Sequence, residues 1–427
     1  MRKIKPLFLV DFNYPVLSGG YRRSYQILRL GQSEGIEYII VTSLSSIKNA
    51  VKIFPDFIKV LSNYKVYLKD FEQKSSSIFA LKQFFTYKDI FRSALIVSKI
   101  ASIESADLIV GNEGHDNMLT SYLAGKLSSK PWTVVFQPTS ELFQPSPLME
   151  NLNISNILRF VNEKMAKRKL PLLSRIGFAM SLLTQLRIAE KSLMLSVSKL
   201  VEEEVKPLDP KIVFKVIEPG NGIDPTKFPQ DSVTREREKK YDAIFFARLL
   251  PEKGLFDLPI IWKLITEKKP TAILAVAGIT EDQNYVDELI KELYENGLQQ
   301  NVIFLGELDE NTLLDMVKAS KIAIYPSVLD SFSLVTLESL ACGTPVVAYD
   351  IPAIRLNFGN CTAVLRCPVN NRKIMAEKAL EIMGNEKLRI ALSNEAKLYT
   401  AHYTWQNVVK AEKKAYLEVL AISNSSQ

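Results

Sequence analysis

Tyr325-Pro-Ser-Val-Leu-Asp330-Ser-Phe-Ser-Leu-Val-Thr-Leu-Glu338-Ser-Leu-Ala-Cys-Gly343-Thr-Pro345 holds a strand end, a polar loop and a helix start within 21 residues. Upstream, Ile322–Tyr325 is a short apolar run that Pro326 stops. Ser331 to Val335 then opens a helix that carries Leu334, Leu337 and Ala341 at helical spacing. Gly343 and Pro345 punctuate before the next apolar run, Pro345–Tyr349. Short apolar runs bounded by turn residues and separated by helices read as parallel strands covered on both faces.

The same alternation extends in both directions. Strands are expected at Asp242–Ala247, Ala272–Ala277 and Val302–Leu305, with helices at Leu255–Lys268, Asp282–Asn296, Glu310–Ala319 and Ser333–Ala341. The first half repeats it less cleanly, with strands at Pro6–Val10, Tyr38–Thr42, Asp107–Val110 and Trp132–Phe136 and a helix from Tyr21 to about Ser33. The expected fold class is therefore α/β, with two Rossmann-like, doubly wound domains. At 427 residues the chain is long for one core. Pro207, Asp209 and Pro210 break the pattern, so the domains are drawn as 1–205 and 206–400, with a crossover helix and tail at 401–427.

Composition bounds the class further. Hydrophobic residues are 47% and charged residues 24%, as in ordinary globular chains. The apolar run after Met1–Lys5 is only Leu7–Val10, too short for a secretory signal, and no run approaches a spanning helix. Cys342, Cys361 and Cys367 lack paired zinc spacing and read as buried reduced thiols. A cytoplasmic location is expected.

The net charge of +7 is uneven: 27 Lys+Arg face 18 Asp+Glu in residues 1–205, and 27 face 29 in the remainder. A solvated lysine-rich surface explains this as well as a distinct partner does. No zinc-finger or aromatic RNA-binding motif accompanies the charge, so nucleic acid is not favoured. Segment 151–191 is helix-rich and threaded with Arg159, Lys164, Lys167, Arg168, Lys169, Arg175, Arg187 and Lys191. It reads either as a helical insertion packed on the first domain or as a peripheral contact with an anionic membrane at its inner face.

Ligands of doubly wound sheets bind beyond the carboxyl ends of the strands. Arg248-Leu-Leu-Pro-Glu-Lys253-Gly254 follows one strand and suits a diphosphate, Arg248 as a planar fork and Lys253 as a point charge. Alone, such loop residues are usually solvated surface charges. P-loop glycine spacing is absent. The opening stretch follows another strand, and its helix start offers backbone N–H groups to an anion.

That stretch resembles the donor motif of the retaining glycosyltransferases of family 4, which have the GT-B fold. The chain keeps Pro326, Ser327, Phe332, Leu334, Glu338, Ala341, Gly343, Pro345 and Val346 of the pattern, with Asp330 for the first glutamate and Ser333 for a glycine. Ser18-Gly19-Gly20 resembles the N-terminal glycine loop, Asn221-Gly222-Ile-Asp224 the linker element, and Val302–Gly306 the strand and turn beside the base. Thr404-Trp405 resembles the start of the terminal segment that crosses back to the first domain.

The resemblance implies transfer of a hexose, with retention, from a nucleotide-diphosphate sugar (UDP or GDP) to a glycan or lipid-linked acceptor. No resident cofactor is expected. Arg248 and Lys253 would neutralise the leaving diphosphate, Glu338 hold the ribose, and Asp330 a sugar hydroxyl near Phe332, Ser333 and Leu334. Gly19, Gly20 and Gly306 would complete the donor site. No two aspartates are spaced D-x-D, so no divalent metal is expected. A family histidine near the donor sugar aligns with Asn112 or, after a small shift, with His115; Gln137 stands where some members have another. The shorter Asp330 leaves a second reading open, a degenerate subunit that binds donor without transferring it.

Overall fold

The computed structural model describes residues 3–13, 19–69, 79–112, 115–136, 172–206, 209–228, 239–280 and 282–425. Two units form, one of residues 1–221 with 405–427 and the other of residues 222–404.

In the first unit the order is β1 (Pro6–Leu9), α1 (Gly19–Gly31), β2 (Ile39–Thr42), α2 (Leu44–Ile53), α3 (Phe57–Leu61), β3 (Lys65–Leu68), α4 (Phe79–Ile103) and β4 (Leu108–Asn112). There follow α5 (His115–Ser128), β5 (Trp132–Phe136), α6 (Leu172–Ala189), β6 (Met194–Ser196), α7 (Lys199–Val205) and β7 (Phe214–Val216). The strands make one sheet in the order β3-β2-β1-β4-β5-β6-β7, parallel throughout. β1, β2 and β4 are buried along their whole length, which is why they read as continuous apolar runs. Helices α4, α5 and α6 cover one face through Ile90, Val97, Met118, Leu182 and Leu186; α1 packs on the other through Ile27 and Leu28.

The second unit repeats the plan with β8 (Tyr241–Phe246), α8 (Leu258–Thr266), β9 (Leu274–Ala277), α9 (Gln283–Glu295), β10 (Val302–Gly306), α10 (Glu310–Lys318) and β11 (Ser320–Tyr325). It continues with α11 (Leu334–Ala341), β12 (Val346–Tyr349), α12 (Pro352–Phe358), β13 (Val364–Cys367), α13 (Arg372–Gly384) and α14 (Glu386–Thr400). Its sheet runs β10-β9-β8-β11-β12-β13, again parallel. Both sheets thus reverse direction beside their own first strand, between β1 and β4 and between β8 and β11. Crevices for ligands open at such switch points.

Helix α15 (Trp405–Ser425) returns to the first unit and packs beside α1, burying Val409, Tyr416 and Val419 in that unit's core. On this helix Glu412 forms a buried ion pair with Arg23, 0% and 1% exposed. Arg23 Nε also donates to the Gly220 carbonyl at 2.7 Å, and Tyr416 donates to Glu412 Oε1 at 2.6 Å.

The units divide at Asn221/Gly222, beyond the 205/206 boundary read from the prolines. The reason is β7, whose Lys215 pairs with Leu195 of β6 and keeps the chain in the first sheet to Val216. The return segment begins at Trp405. Of the basic segment 151–191, residues 151–171 lie outside the described residues. In the rest, Leu182, Leu186 and Ala189 are buried in the first core, so this part packs as a helix on its own unit. All three cysteines are buried and free. Burial pushes their thiols up, Cys361 to about 11 and Cys367 to about 12. Among the described residues, no helix is long and apolar enough to cross a membrane.

Candidate donor site at the switch point of the second sheet

Two loops flank the β8/β11 switch point. After β8 the chain passes Arg248 and tightens into a 3-10 turn at Pro251–Lys253, ending at Gly254 with φ +78°. After β11 it passes Pro326, Ser327 and Asp330 and enters α11 through Ser333.

The loops are stitched together by backbone. Val328 N–H donates to the Glu252 carbonyl at 3.0 Å, and Ser327 Oγ donates to the same oxygen at 3.2 Å. Gly254 sits so close that a Cβ there would lie 2.1 Å from the Pro326 carbonyl oxygen. No side chain fits, and the left-handed φ independently favours glycine.

Lys253 and Asp330 meet inside this seam. Lys253 Nζ donates to Asp330 Oδ2 at 3.1 Å and to the Leu329 carbonyl at 2.9 Å, both side chains being mostly buried. Tyr325 OH also donates to Asp330 Oδ2. The other carboxylate oxygen, Oδ1, accepts from the N–H groups of Ser331 (2.7 Å), Phe332 (3.3 Å) and Ser333 (3.2 Å). Burial would raise the Asp330 carboxyl, but the Lys253 charge and the Tyr325 hydrogen bond outweigh it, so its pKa is lowered. For Lys253 burial acts downward, and Tyr325 and Asp330 together hold the ammonium well above its ordinary value. Burial, with the Asp330 charge, pushes the Tyr325 phenol up. Lys253 is therefore a cation and Asp330 an anion at neutral pH.

Ser333 stands in the left-handed region (φ 71°, ψ 76°), where glycine is usual. It caps α11 instead: its Oγ accepts from Thr336 N at 3.3 Å and bonds Thr336 Oγ1 at 2.8 Å. The first helical N–H groups, Leu334 and Val335, point out of the helix start without an intrahelical acceptor. Phe332 is buried against Phe358, with ring centroids 5.6 Å apart.

Arg248 is exposed at the head of its loop. Glu338 is half-buried on α11. Gly306 ends β10 with φ +67° and open space where a Cβ would stand, and its carbonyl accepts from Gly278 N–H at 2.9 Å. Arg248, Lys253, Gly306, Asp330, Phe332, Ser333, Leu334 and Glu338 thus all belong to the second unit. Within it, the seam joins Lys253 directly to the Asp330–Ser333 loop.

The remaining expected residues lie in the first unit. Gly19 and Gly20 form the first turn of α1, while Ser18 lies outside the described residues. His115 is the first residue of α5, and its side chain, with Gln137, falls outside the described set. Asn112 closes β4 and donates to Ser24 Oγ at 2.8 Å.

Sequence reasoning placed Tyr325, Ser327 and Gly254 within the two loops, Ser327 as part of the donor motif, but not their contacts across the seam.

Residues 227–399 match the family model of the glycosyl transferases group 1. The match covers nearly all of the second unit. Among curated proteins, this chain is 27% identical over 248 residues to an uncharacterized glycosyltransferase of Methanocaldococcus jannaschii, covering 53% of this chain and 60% of that one. It is 26% identical over 211 residues to the D-inositol 3-phosphate glycosyltransferase of Jonesia denitrificans, covering 47% and 50%. The chain thus spans only about half to three-fifths of the curated relatives it matches.

Solved structures match nearly end to end. A glycosyltransferase from Rickettsia africae superposes with a TM-score of 0.69 at 17% identity, covering 98% of this chain and 99% of that one. The Anabaena protein HepE, in complex with UDP and glucose, gives 0.66 at 15%, covering 97% and 100%. The two Rossmann-like units therefore have the GT-B fold, as the donor motif implied.

Proposed function

We propose that this chain transfers a hexose from a nucleotide-diphosphate sugar to a glycan or lipid-linked acceptor, with retention and without a divalent metal. The observation that carries the reading is the seam between Lys253 and the Asp330–Ser333 loop. It fixes a cation next to a helix start at the switch point of the second sheet. A diphosphate there would meet the Lys253 charge, the exposed Arg248 and the first N–H groups of α11, all before the reaction begins. As the sugar leaves, negative charge grows on the diphosphate, and cations already held in place stabilise it without reorganising.

Glu338 is the carboxylate assigned to the ribose hydroxyls. Asp330 acts differently from the direct grip implied by the motif. With both carboxylate oxygens occupied, it works as a positioning residue that sets Lys253 and shapes the loop. The UDP bound by HepE supports a uridine donor, and the first unit is assigned the acceptor. The occupied Asp330 also favours a second reading, in which the chain binds the nucleotide sugar without transferring it.

Thermal unfolding with UDP-, GDP- and ADP-sugars tests the donor site, because a ligand that binds only the folded state raises its stability with concentration. One donor is expected to stabilise the parent, and Lys253→Ala and Glu338→Ala are expected to lose that stabilisation. Equal stabilisation of all three proteins would sink the assignment. Release of nucleotide with and without acceptor then separates a transferase from a binding subunit.

A further inference from the structure

We infer that the solvent face of α4 is a docking surface for an anionic lipid bilayer. From residue 88 onward the helix divides cleanly. Ile90, Ala94, Val97, Ile100 and Ala101 are buried in the first core. Lys88, Phe91, Arg92, Leu95, Lys99, Ser102 and Ile103 are exposed. At 100° per residue these seven positions fall within an arc of about 120°, and Lys88 to Ile103 spans about 22 Å.

The exposed arc combines two properties. Phe91, Leu95 and Ile103 are 52%, 38% and 77% exposed, more apolar surface than a solvated helix face needs. Every charged residue in the arc is basic; Asp89 lies outside it and is half-buried. Among the described residues, none of Lys88, Arg92 and Lys99 forms an ion pair, so their charge faces outward.

Cations interleaved with apolar side chains along one stripe suit a bilayer surface, where rings and aliphatic chains enter the acyl boundary and Lys or Arg stems reach back to headgroups. A second protein is a poorer fit, because lysine is depleted from the cores of protein interfaces. Charge complementarity selects the anionic bilayer, and the excess of basic residues over residues 1–205 has the same sign. This surface belongs to the first unit alone and does not depend on the donor reading.

The test is flotation of the full chain with vesicles of phosphatidylcholine alone and of phosphatidylcholine mixed with phosphatidylglycerol. The parent is expected to float only with the mixed vesicles, and less so as salt rises. Each basic residue near such a surface changes partition about fivefold, so Lys88→Ala, Arg92→Ala and Lys99→Ala combined should weaken binding about a hundredfold. Phe91→Ser with Leu95→Ser should weaken it while preserving its salt dependence. All positions are exposed, and an unchanged thermal midpoint certifies the fold of each variant. Parent protein that stays in solution with both vesicles overturns the inference. So does a triple variant that floats like the parent. A parent dimer that the Phe91/Leu95 variant breaks, with vesicle binding unaltered, assigns the face to a second copy and overturns it as well.

Discussion

The ammonium of Lys253 donates to the carboxylate of Asp330 at 3.1 Å, and that contact ties the loop after β8 to the loop after β11. The pair is mostly buried, and each partner has further bonds: Lys253 to the Leu329 carbonyl, Asp330 to Tyr325 and three backbone N–H groups. Replacing Lys253 by Met leaves a buried carboxylate with hydrogen bonds but no counter-charge. The expected loss is about 3 kcal/mol in urea unfolding, at the low end for a broken buried pair because the remaining donors persist. Donor affinity should also fall by more than about tenfold, since a charge-assisted contact to the diphosphate is lost. A double-mutant cycle with Asp330→Asn reads the coupling directly.

The same pair predicts a pH effect with a definite sign. The folded-state pKa of Asp330 is lowered, so its contribution is fully present above its unfolded value, near pH 3.9, and is lost as pH falls through the folded value. Asp330→Asn should therefore flatten the acid limb of the stability curve below about pH 4. At neutral pH the variant should be less stable than the parent, and that difference should shrink as pH falls through the folded value. Urea midpoints between neutral pH and the acid transition check this, and parallel acid limbs for parent and variant would refute it.

Gly254 and Gly306 separate fit from strain. Both have left-handed φ, but a Cβ at Gly254 meets the Pro326 carbonyl oxygen at 2.1 Å, whereas at Gly306 it meets nothing within 4 Å. Gly306→Ala should cost about 1 kcal/mol, the left-handed penalty alone. Gly254→Ala adds a backbone clash to about the same penalty, so it should cost clearly more and weaken donor binding by forcing the seam apart. If Gly306→Ala weakens the donor beyond its stability cost, the β10 turn touches the ligand.

Ser333 offers a stabilising change. Glycine removes the strain of a left-handed non-glycine residue, worth about 1–2 kcal/mol. It also deletes the hydroxyl cap to Thr336, for which glycine loses only a few tenths. The sum favours Ser333→Gly by about 1 kcal/mol, readable as a higher urea midpoint. A fall in the midpoint would mean that the bonds to Thr336 outweigh the strain.

The second unit was largely legible because its signals agree. Asp242–Ala247 and Ile322–Tyr325 are apolar, short and bounded, and they became β8 and β11 within two residues. In the first unit β3, β6 and β7 were not read. Lys65–Leu68 is a partly exposed edge strand, and Met194–Ser196 and Phe214–Val216 have only three residues each, too short to show a strand period. The donor loop illustrates a different limit. Spacing located Lys253 and Asp330, but only coordinates show that they bond to each other, so that Asp330 is spent on organisation. Hydrogen bonds between residues 77 apart leave no periodicity to read.

Arg23 and Glu412 allow a test of the returning helix. Arg23 is buried and gives hydrogen bonds both to Glu412 of α15 and to the Gly220 carbonyl. Glu412 holds Tyr416 through its other oxygen. Glu412→Ala leaves a buried guanidinium uncompensated, a change that typically costs about 3–5 kcal/mol. Arg23→Met with Glu412→Leu removes both charges and should recover much of that loss, because apolar replacements of similar volume are tolerated where an orphaned charge is not. The second unit holds neither residue, so donor stabilisation should persist in both variants wherever they remain folded. Urea unfolding of the parent, the single variant and the pair decides it: a double variant no more stable than Glu412→Ala would mean that the ion pair itself, rather than the packing of Val409, Tyr416 and Val419, anchors α15.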